Sequence, residues 1–425
     1  MCASLGEVRV GRIGSRCGCS VAGSGRRTVQ RPHYSSPVSS PTVGDAIDAL
    51  DDLYPPATAE GWDVVGFTCG DRGMSLGRVM FAVDPLPRVV DEALDWGADL
   101  LVTHHPLLLS PTHSVATDTW KGSMLHRLIR GGCSLFTAHT NADVAAGGVN
   151  DALAHALGLV DLAPLRPWPE DPVDKIVTFV PTADVEAVVD AMAAAGAGGL
   201  GHYRRCAWTV GGTGTFTPQP GATPAIGAVG RREVLDESRV EMIVPRIRRS
   251  DALAALRAAH PYEEVAVDVL ELASSAGATG LGRVGSLAVE TTLEGFAKAV
   301  ADALPTTPGG VRFFGDPEAT VARVAVCGGS GDSLLDDADR ADVDVFVTAD
   351  LRHHRASEHL AAGGPALIDP GHWASEWPWL PNVARQLTKA LAAAHPSATT
   401  VETYVSTEVT DPVTGSVRSR PEEDR

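Results

Sequence analysis

The sequence predicts an α/β protein made of two related α/β lobes facing a cleft, with a ferredoxin-like α+β domain inserted between them. Three observations predict it. Apolar strand and helix patterns alternate in the first and last thirds of the chain, which argues for mostly parallel sheets with helices on their faces. The middle of the chain changes rhythm and reads β-α-β-β-α-β, the ferredoxin-like order. The stretches Ala98–His105 and Ala341–Asp350 also look alike, each running from acidic residues through an apolar strand to Thr and a polar cluster.

In chain order, Val43–Leu53 reads as a helix, Val79–Val83 as a buried strand and Pro87–Trp96 as a helix with apolar residues at helical spacing. Asp99–Thr103 is a second strand, Met124–Arg130 a short helix, Ser134–Ala138 a third strand and Val149–Leu157 a helix. In the last third, Val321–Val326, Val343–Val347 and Ala366–Asp369 are strands, and Pro381–Ala393 is a helix of strong periodicity. Between these halves lie the strand Asp174–Val180, the Ala-rich helix Ala183–Ala195, strand and turn over His202–Phe216, and the strand Ser238–Val244. The helix Ser250–Ala259 and the strand Val265–Leu272 complete the middle. Its flanks, Leu165–Pro172 and Ser274–Thr279, are rich in Pro, Gly, Ser and Ala. The expected division is a first lobe over 42–170, the insert over 171–277, a second lobe over 278–413 and a polar tail over 414–425.

Residues 1–41 carry six Arg against one Glu and no periodicity, and are expected to form a disordered extension. An Arg-rich, acid-poor leader is also the composition of a transit peptide, and Cys17-Gly18-Cys19 reads as an incidental pair. The net charge of −18 speaks against broad binding to nucleic acid or anionic membrane. No apolar run approaches the ~20 residues of a spanning helix, and a cytoplasmic protein is expected. The seven cysteines show neither a disulfide framework nor paired zinc spacing.

Four clusters place His, Asp or Glu where an apolar run ends: Thr103-His104-His105-Pro106, His139-Thr140-Asn141-Ala142-Asp143, Thr348-Ala349-Asp350-Leu351-Arg352-His353-His354 and Gly371-His372-Trp373-Ala374-Ser375-Glu376. Open α/β sheets bind ligands outside the carboxyl ends of their strands, and imidazole with carboxylate suits divalent zinc, iron or manganese. The cleft is therefore expected to bind metal. His372 and Glu376 project one turn apart if Gly371 opens a helix. Adjacent His104 and His105 diverge from an extended backbone and suit two metals better than one. Two-metal sites share bridging oxygens, for which Asp143 and Glu376 are suited. The bland reading of Asn150 or Asp151 is a helix N-cap.

These clusters resemble the dinuclear-metal-centre proteins known as GTP cyclohydrolase I type 2 homologues, the Ngg-interacting-factor-three-like family. The resemblance runs through Trp62-Asp63-Val64-Val65-Gly66, Ala98–Pro106, His139–Asp143 with Gly147–Asp151, Cys327–Gly331, Gly371–Glu376 and Thr410-Asp411-Pro412. It implies that His104, His105, Asp143, His372 and Glu376 hold two divalent metal ions, and that the chain assembles as a homohexamer. The insert matches through Gly201-His202-Tyr203, Gly212–Phe216 and His260-Pro261-Tyr262-Glu263-Glu264, which look like the CutA- and PII-like domain of longer family members. His260 with the two Glu reads as a turn motif rather than a second metal site. Two departures stand out: the family's Thr-Gly-Asp is here Thr348-Ala349-Asp350, and its Gly-Leu-Gln-Val-Gly is Gly66-Phe67-Thr68-Cys69-Gly70.

The expected function is a metal-dependent hydrolase acting on a nucleotide or related small molecule, with Asp350, His354 and His139 in supporting or proton-transfer roles. The alternative is a non-catalytic metal-binding scaffold with a ligand-sensing insert.

Overall fold

The computed structural model describes residues 40–169, 172–273, 276–398 and 400–417. The extension expected over 1–41, apart from its last two residues, and the end of the tail lie outside them. The protein is a mixed α/β structure whose described strands form three sheets.

In the first sheet, Leu100–Thr103 pairs in parallel with Arg78–Ala82 on one side and Ser134–Thr137 on the other. Gly66–Cys69 closes one edge antiparallel, and Glu402–Val405 closes the other in parallel. In the second sheet, Val345–Ala349 lies between Thr320–Ser330 and Ala366–Asp369, again in parallel. Arg312–Phe314 and the long pair Ala276–Thr292 and Val160–Pro169 flank this trio antiparallel. Helices Pro87–Trp96, Trp120–Gly131, Leu335–Arg340 and His353–Ala361 connect the parallel strands, as the alternating pattern predicts. The central strands are buried on both faces, which is why they read as unbroken apolar runs.

Alternate side chains feed different layers. Phe81, Phe136, Val326 and Val347 join one buried cluster with residues of helices Val43–Leu53, Val149–Ala156, Leu293–Ala303 and Trp379–Ala394. Met80, Leu101 and Leu135 point the other way, against Val90 and Leu128. Ala325, Phe346 and Leu367 do the same against Leu335 and Ala356. The first helix is fixed at its start by a capping box, with Asp45 N–H donating to Thr42 Oγ1 (3.2 Å) and Thr42 N–H to Asp45 Oδ2 (2.7 Å).

Two strands pair across the expected divisions. Val160–Pro169, early in the chain, belongs to the second sheet, and Glu402–Val405, near its end, belongs to the first. Arg283, 2% exposed, stitches the long strand to the segment after the first sheet. Its guanidinium donates to Asp151 and to the carbonyls of Gly280, Gly282 and Ala145.

In the middle, Val173–Pro181, Trp208–Phe216, Glu233–Pro245 and Val267–Glu271 form an antiparallel sheet in the order second, third, first, fourth. Helices Val185–Ala194 and Arg249–Ala259 cover one face, where Ile176, Val180, Val240 and Met242 meet Val188, Met192 and Leu256. Asp174 is fully buried and accepts from Arg246 (3.1 Å) and Arg249 (2.7 Å).

Candidate metal centre

The carboxyl ends of the parallel strands carry the site. His104 and His105 follow Leu100–Thr103, Asp84 follows Arg78–Ala82, and His139 follows Ser134–Thr137. From the second sheet, Gly329 is the penultimate residue of Thr320–Ser330, Asp350 follows Val345–Ala349, and His372 follows Ala366–Asp369. Gly371, at φ +87°, turns the chain into the five-residue helix His372–Glu376, whose first and last side chains meet at 3.0 Å, His372 Nε2 to Glu376 Oε1.

Each imidazole is held by its Nδ1. His104 faces the Ala138 carbonyl (2.9 Å), His105 the Asp84 carboxylate (2.7 Å), His139 Asp63 (2.8 Å) and His372 Asp350 (2.7 Å). With Nδ1–H donating to each of these acceptors, a neutral ring presents a bare lone pair at Nε2. The Nε2 atoms converge: His105 and His372 are 3.3 Å apart, and Glu376 lies 3.4 Å from His104 and 3.2 Å from His105. The ligand atoms of His104, His105 and His139 lie within 4.8 Å of one another, as do those of His105, His372 and Glu376. Asp143 Oδ1, 3.8 Å from His104 Nε2, and Glu376 Oε2 are buried and accept no hydrogen bond. Orphaned carboxylate oxygens facing imidazole lone pairs are a donor set that calls for a cation, and the residues present fit one.

Without a cation, protons do that work. The Glu376 charge lifts His372 to about 11 against the opposing effect of burial, helped by Asp350. Burial opposes protonation of His105, but Glu376 and Asp84 raise it to about 10. Burial lifts Asp143 to about 7. For Glu376 burial is outweighed by His105, His372 and His104, which hold its carboxyl well below the usual range.

The surroundings fix this geometry. The His104 ring packs on Trp379 at 5.5 Å, whose Nε1 donates to Tyr54 Oη (3.1 Å), and Tyr54 donates to Gln386 (2.6 Å). Asn150 is no N-cap: it donates to the Asp143 carbonyl and accepts from Gly328 N–H, both at 2.9 Å, tying the helices that follow the first sheet to a strand of the second beside the site. Gly148 occupies the N-cap position, and Asp151 instead binds Arg283.

All five residues expected as ligands meet here, together with His139 and Asp350. His354 does not join them. It lies exposed on the helix His353–Ala361, edge-on to His353 at 5.2 Å. Ala349 is fully buried and the left-handed backbone falls on Asp350 (φ +55°), so the methyl group that departs from the family pattern sits within the sheet. Sequence reasoning missed Asp84 as a partner of His105, although its place after a buried strand is the signal that revealed the other clusters.

Fold and site together define an α/β protein with a His/Glu cluster able to hold a metal ion. The chain belongs to the Duf34/NIF3 (NGG1p interacting factor 3) family, whose sequence profile matches residues 41–412. It is 51% identical over 355 residues to the GTP cyclohydrolase 1 type 2 homolog of Mycobacterium tuberculosis, covering 83% of this chain and 93% of the relative. The Bacillus subtilis protein of the same name is 38% identical over 78% of this chain and 88% of its own length. Among solved structures, a Bacillus cereus protein related to NIF3 is 36% identical with a TM-score of 0.68, covering 88% of this chain and 99% of that one. Staphylococcus aureus protein SA1388 is 28% identical with a TM-score of 0.75, covering 88% and 98%.

Proposed function

We propose that the protein is a metal-dependent hydrolase whose centre holds two divalent ions through His104, His105, Asp143, His372 and Glu376, and that it acts on a nucleotide or related small molecule. The observation that carries this reading is the pair of buried, unpartnered oxygens, Asp143 Oδ1 and Glu376 Oε2, set among Nε2 atoms whose rings are already fixed. Divalent ions there supply Lewis acidity and a water acidic enough to attack near neutral pH. Asp84 and Asp350 keep His105 and His372 in the tautomer that offers Nε2 to a metal. His139, held the same way by Asp63, accepts a proton at Nε2 from a nucleophile beside it. The side chains of His105 and His372 are 22% and 28% exposed, which leaves one side of the cluster open to a substrate and favours catalysis over a closed structural site. The nucleotide assignment rests on the name of the relatives.

The same reading places these ligands in a cleft between two α/β lobes and takes 171–277 as a ferredoxin-like insert, supported by the second-third-first-fourth strand order with both helices on one face. A homohexamer is the assembly expected from the family resemblance.

The test is elemental analysis of protein purified without added metal or chelator, beside a His104→Ala, Glu376→Ala double variant. About two ions per chain, lost in the variant, support the reading. Equal, near-zero content in both after reloading with zinc, manganese and ferrous iron overturns it.

A further inference from the structure

Two motifs of the middle segment, Gly212–Phe216 and His260–Glu264, have no part in the metal centre, yet both line a single cavity of about 490 Å³. That volume is in the range of small-molecule sites, ~300–1,000 Å³. The cavity lies where Phe179, Phe216 and Glu237, on adjacent strands of the antiparallel sheet, meet Tyr262 and the loop that follows Phe216. The loop is latched across it, with Thr223 N–H donating to both oxygens of Glu263 at 2.9 and 3.1 Å.

The turn holding Tyr262 is built firmly. His260 is 6% exposed, its Nε2 meets the Phe179 carbonyl (3.0 Å), and its Nδ1 accepts from Tyr262 N–H (3.1 Å). Both ring nitrogens are thus used, which makes His260 a post of the turn, in line with its reading from sequence. The Tyr262 ring stands edge-on to Phe216 at 5.7 Å, and its hydroxyl donates to Glu237 Oε1 at 2.8 Å. Glu237 reaches that position because residue 214 has no side chain: a Cβ on Gly214 would come 1.7 Å from Glu237 Oε2.

The lining is apolar and aromatic apart from Tyr262, two threonines and three carboxylates, Glu237, Glu263 and Glu264, and it contains no Lys, Arg or His. Such a wall repels phosphates and carboxylates. It favours a positive charge, which gains from the glutamates and from the faces of Phe216 and Tyr262, while the apolar lining takes up a hydrocarbon body. We propose that this cavity binds a small organic cation, an amine or guanidinium carried on an apolar or aromatic body.

The test is titration calorimetry on the full chain with phenethylamine, its neutral isostere 2-phenylethanol and the anion phenylacetate. The proposal expects the amine to bind at least about tenfold tighter than the alcohol, and phenylacetate not to bind. Glu237→Gln should weaken the amine by about tenfold and leave the alcohol unchanged. Ala222→Trp, which adds a bulky ring to the lining and keeps all three glutamates, should abolish both. Far-UV circular dichroism and thermal melting at wild-type levels confirm folded variants, and the comparison of the three probes on the wild-type chain decides the matter without them. No amine binding at millimolar concentration, equal affinity for amine and alcohol, preference for phenylacetate, or full amine affinity in folded Glu237→Gln protein would each overturn the proposal.

Discussion

Gly329 lies directly against Glu376: a Cβ added to its backbone would stand 2.3 Å from Glu376 Oε1 and 3.0 Å from His372 Nε2. The backbone there has φ of +64°, a conformation that costs a non-glycine residue roughly 1–2 kcal/mol. Gly329→Ala is therefore expected to displace the Glu376 carboxylate. Metal affinity should fall by at least about tenfold with a modest loss of stability, read by competition with a chromophoric chelator and by thermal melting. Wild-type affinity in this variant would mean that Glu376 Oε1 is not a ligand.

Within the Nε2 cluster Asp84 is hydrogen-bonded to His105 alone, so its effect isolates ring orientation from ligation. Its other carboxylate oxygen accepts from Thr410 Oγ1, which fixes the carboxylate in turn. Asp84→Asn should weaken metal binding by about 10–100-fold while every ligand remains in place. Unchanged affinity would show that His105 needs no second partner.

The metal-free protein should lose stability as the solution is made alkaline. His105 and His372 titrate near 10 and 11 in the folded chain against an ordinary 6.5. Their contribution is thus complete below 6.5 and vanishes as pH rises through the folded values. Glu376 has the opposite sign: its folded value lies well below 4.5, so its contribution is complete above 4.5 and is lost as pH falls through the folded value. Bound metal replaces the protons, so the melting temperature gained on metal loading should grow between pH 6.5 and 10. A gain independent of pH across that window would contradict the protonated cluster.

Arg283→Met should destabilise the protein by about 3–5 kcal/mol, because it leaves Asp151 and three carbonyls without their buried cation. Denaturant unfolding followed by tryptophan fluorescence measures it. A loss below about 1 kcal/mol would show that water replaces the guanidinium.

The residues that meet at the site were legible because His104, His105, His139 and His372 sit just beyond apolar strands, where a polar residue is conspicuous, with Asp143 and Glu376 four residues after two of them. Distances and tautomers were not legible: Asp350 was read as a supporting residue, but its pairing with His372, like those of Asp63 with His139 and Asp84 with His105, is made only in the fold. The long antiparallel pair Val160–Pro169 and Ala276–Thr292 was hidden by its composition. Its Pro, Gly, Ser and Ala residues over Leu165–Pro172 and Ser274–Thr279 read as flanks of the insert, yet at the next residue, Gly280, the strands come together: a Cβ there would lie 2.3 Å from the Arg166 carbonyl. A close approach between backbones and a flexible loop write the same letter. The exchange of strands between the sheets left no local trace either, because pairing partners far apart in sequence share no pattern.

Because Glu402–Val405 completes the first sheet by pairing with Arg78–Ala82, strands some 324 residues apart in the chain depend on one another. At about 5–20 residues per second of translation, the Arg78–Ala82 edge waits roughly 15–65 s for its partner to be made. During that interval it displays a row of unpaired amides and carbonyls to the cell, an open template for any extended chain. The last strand is thus a safeguard delivered late. Its arrival covers the Arg78–Ala82 edge and leaves the four-residue strand Glu402–Val405 outermost, and a very short edge strand is a poorer template for further pairing.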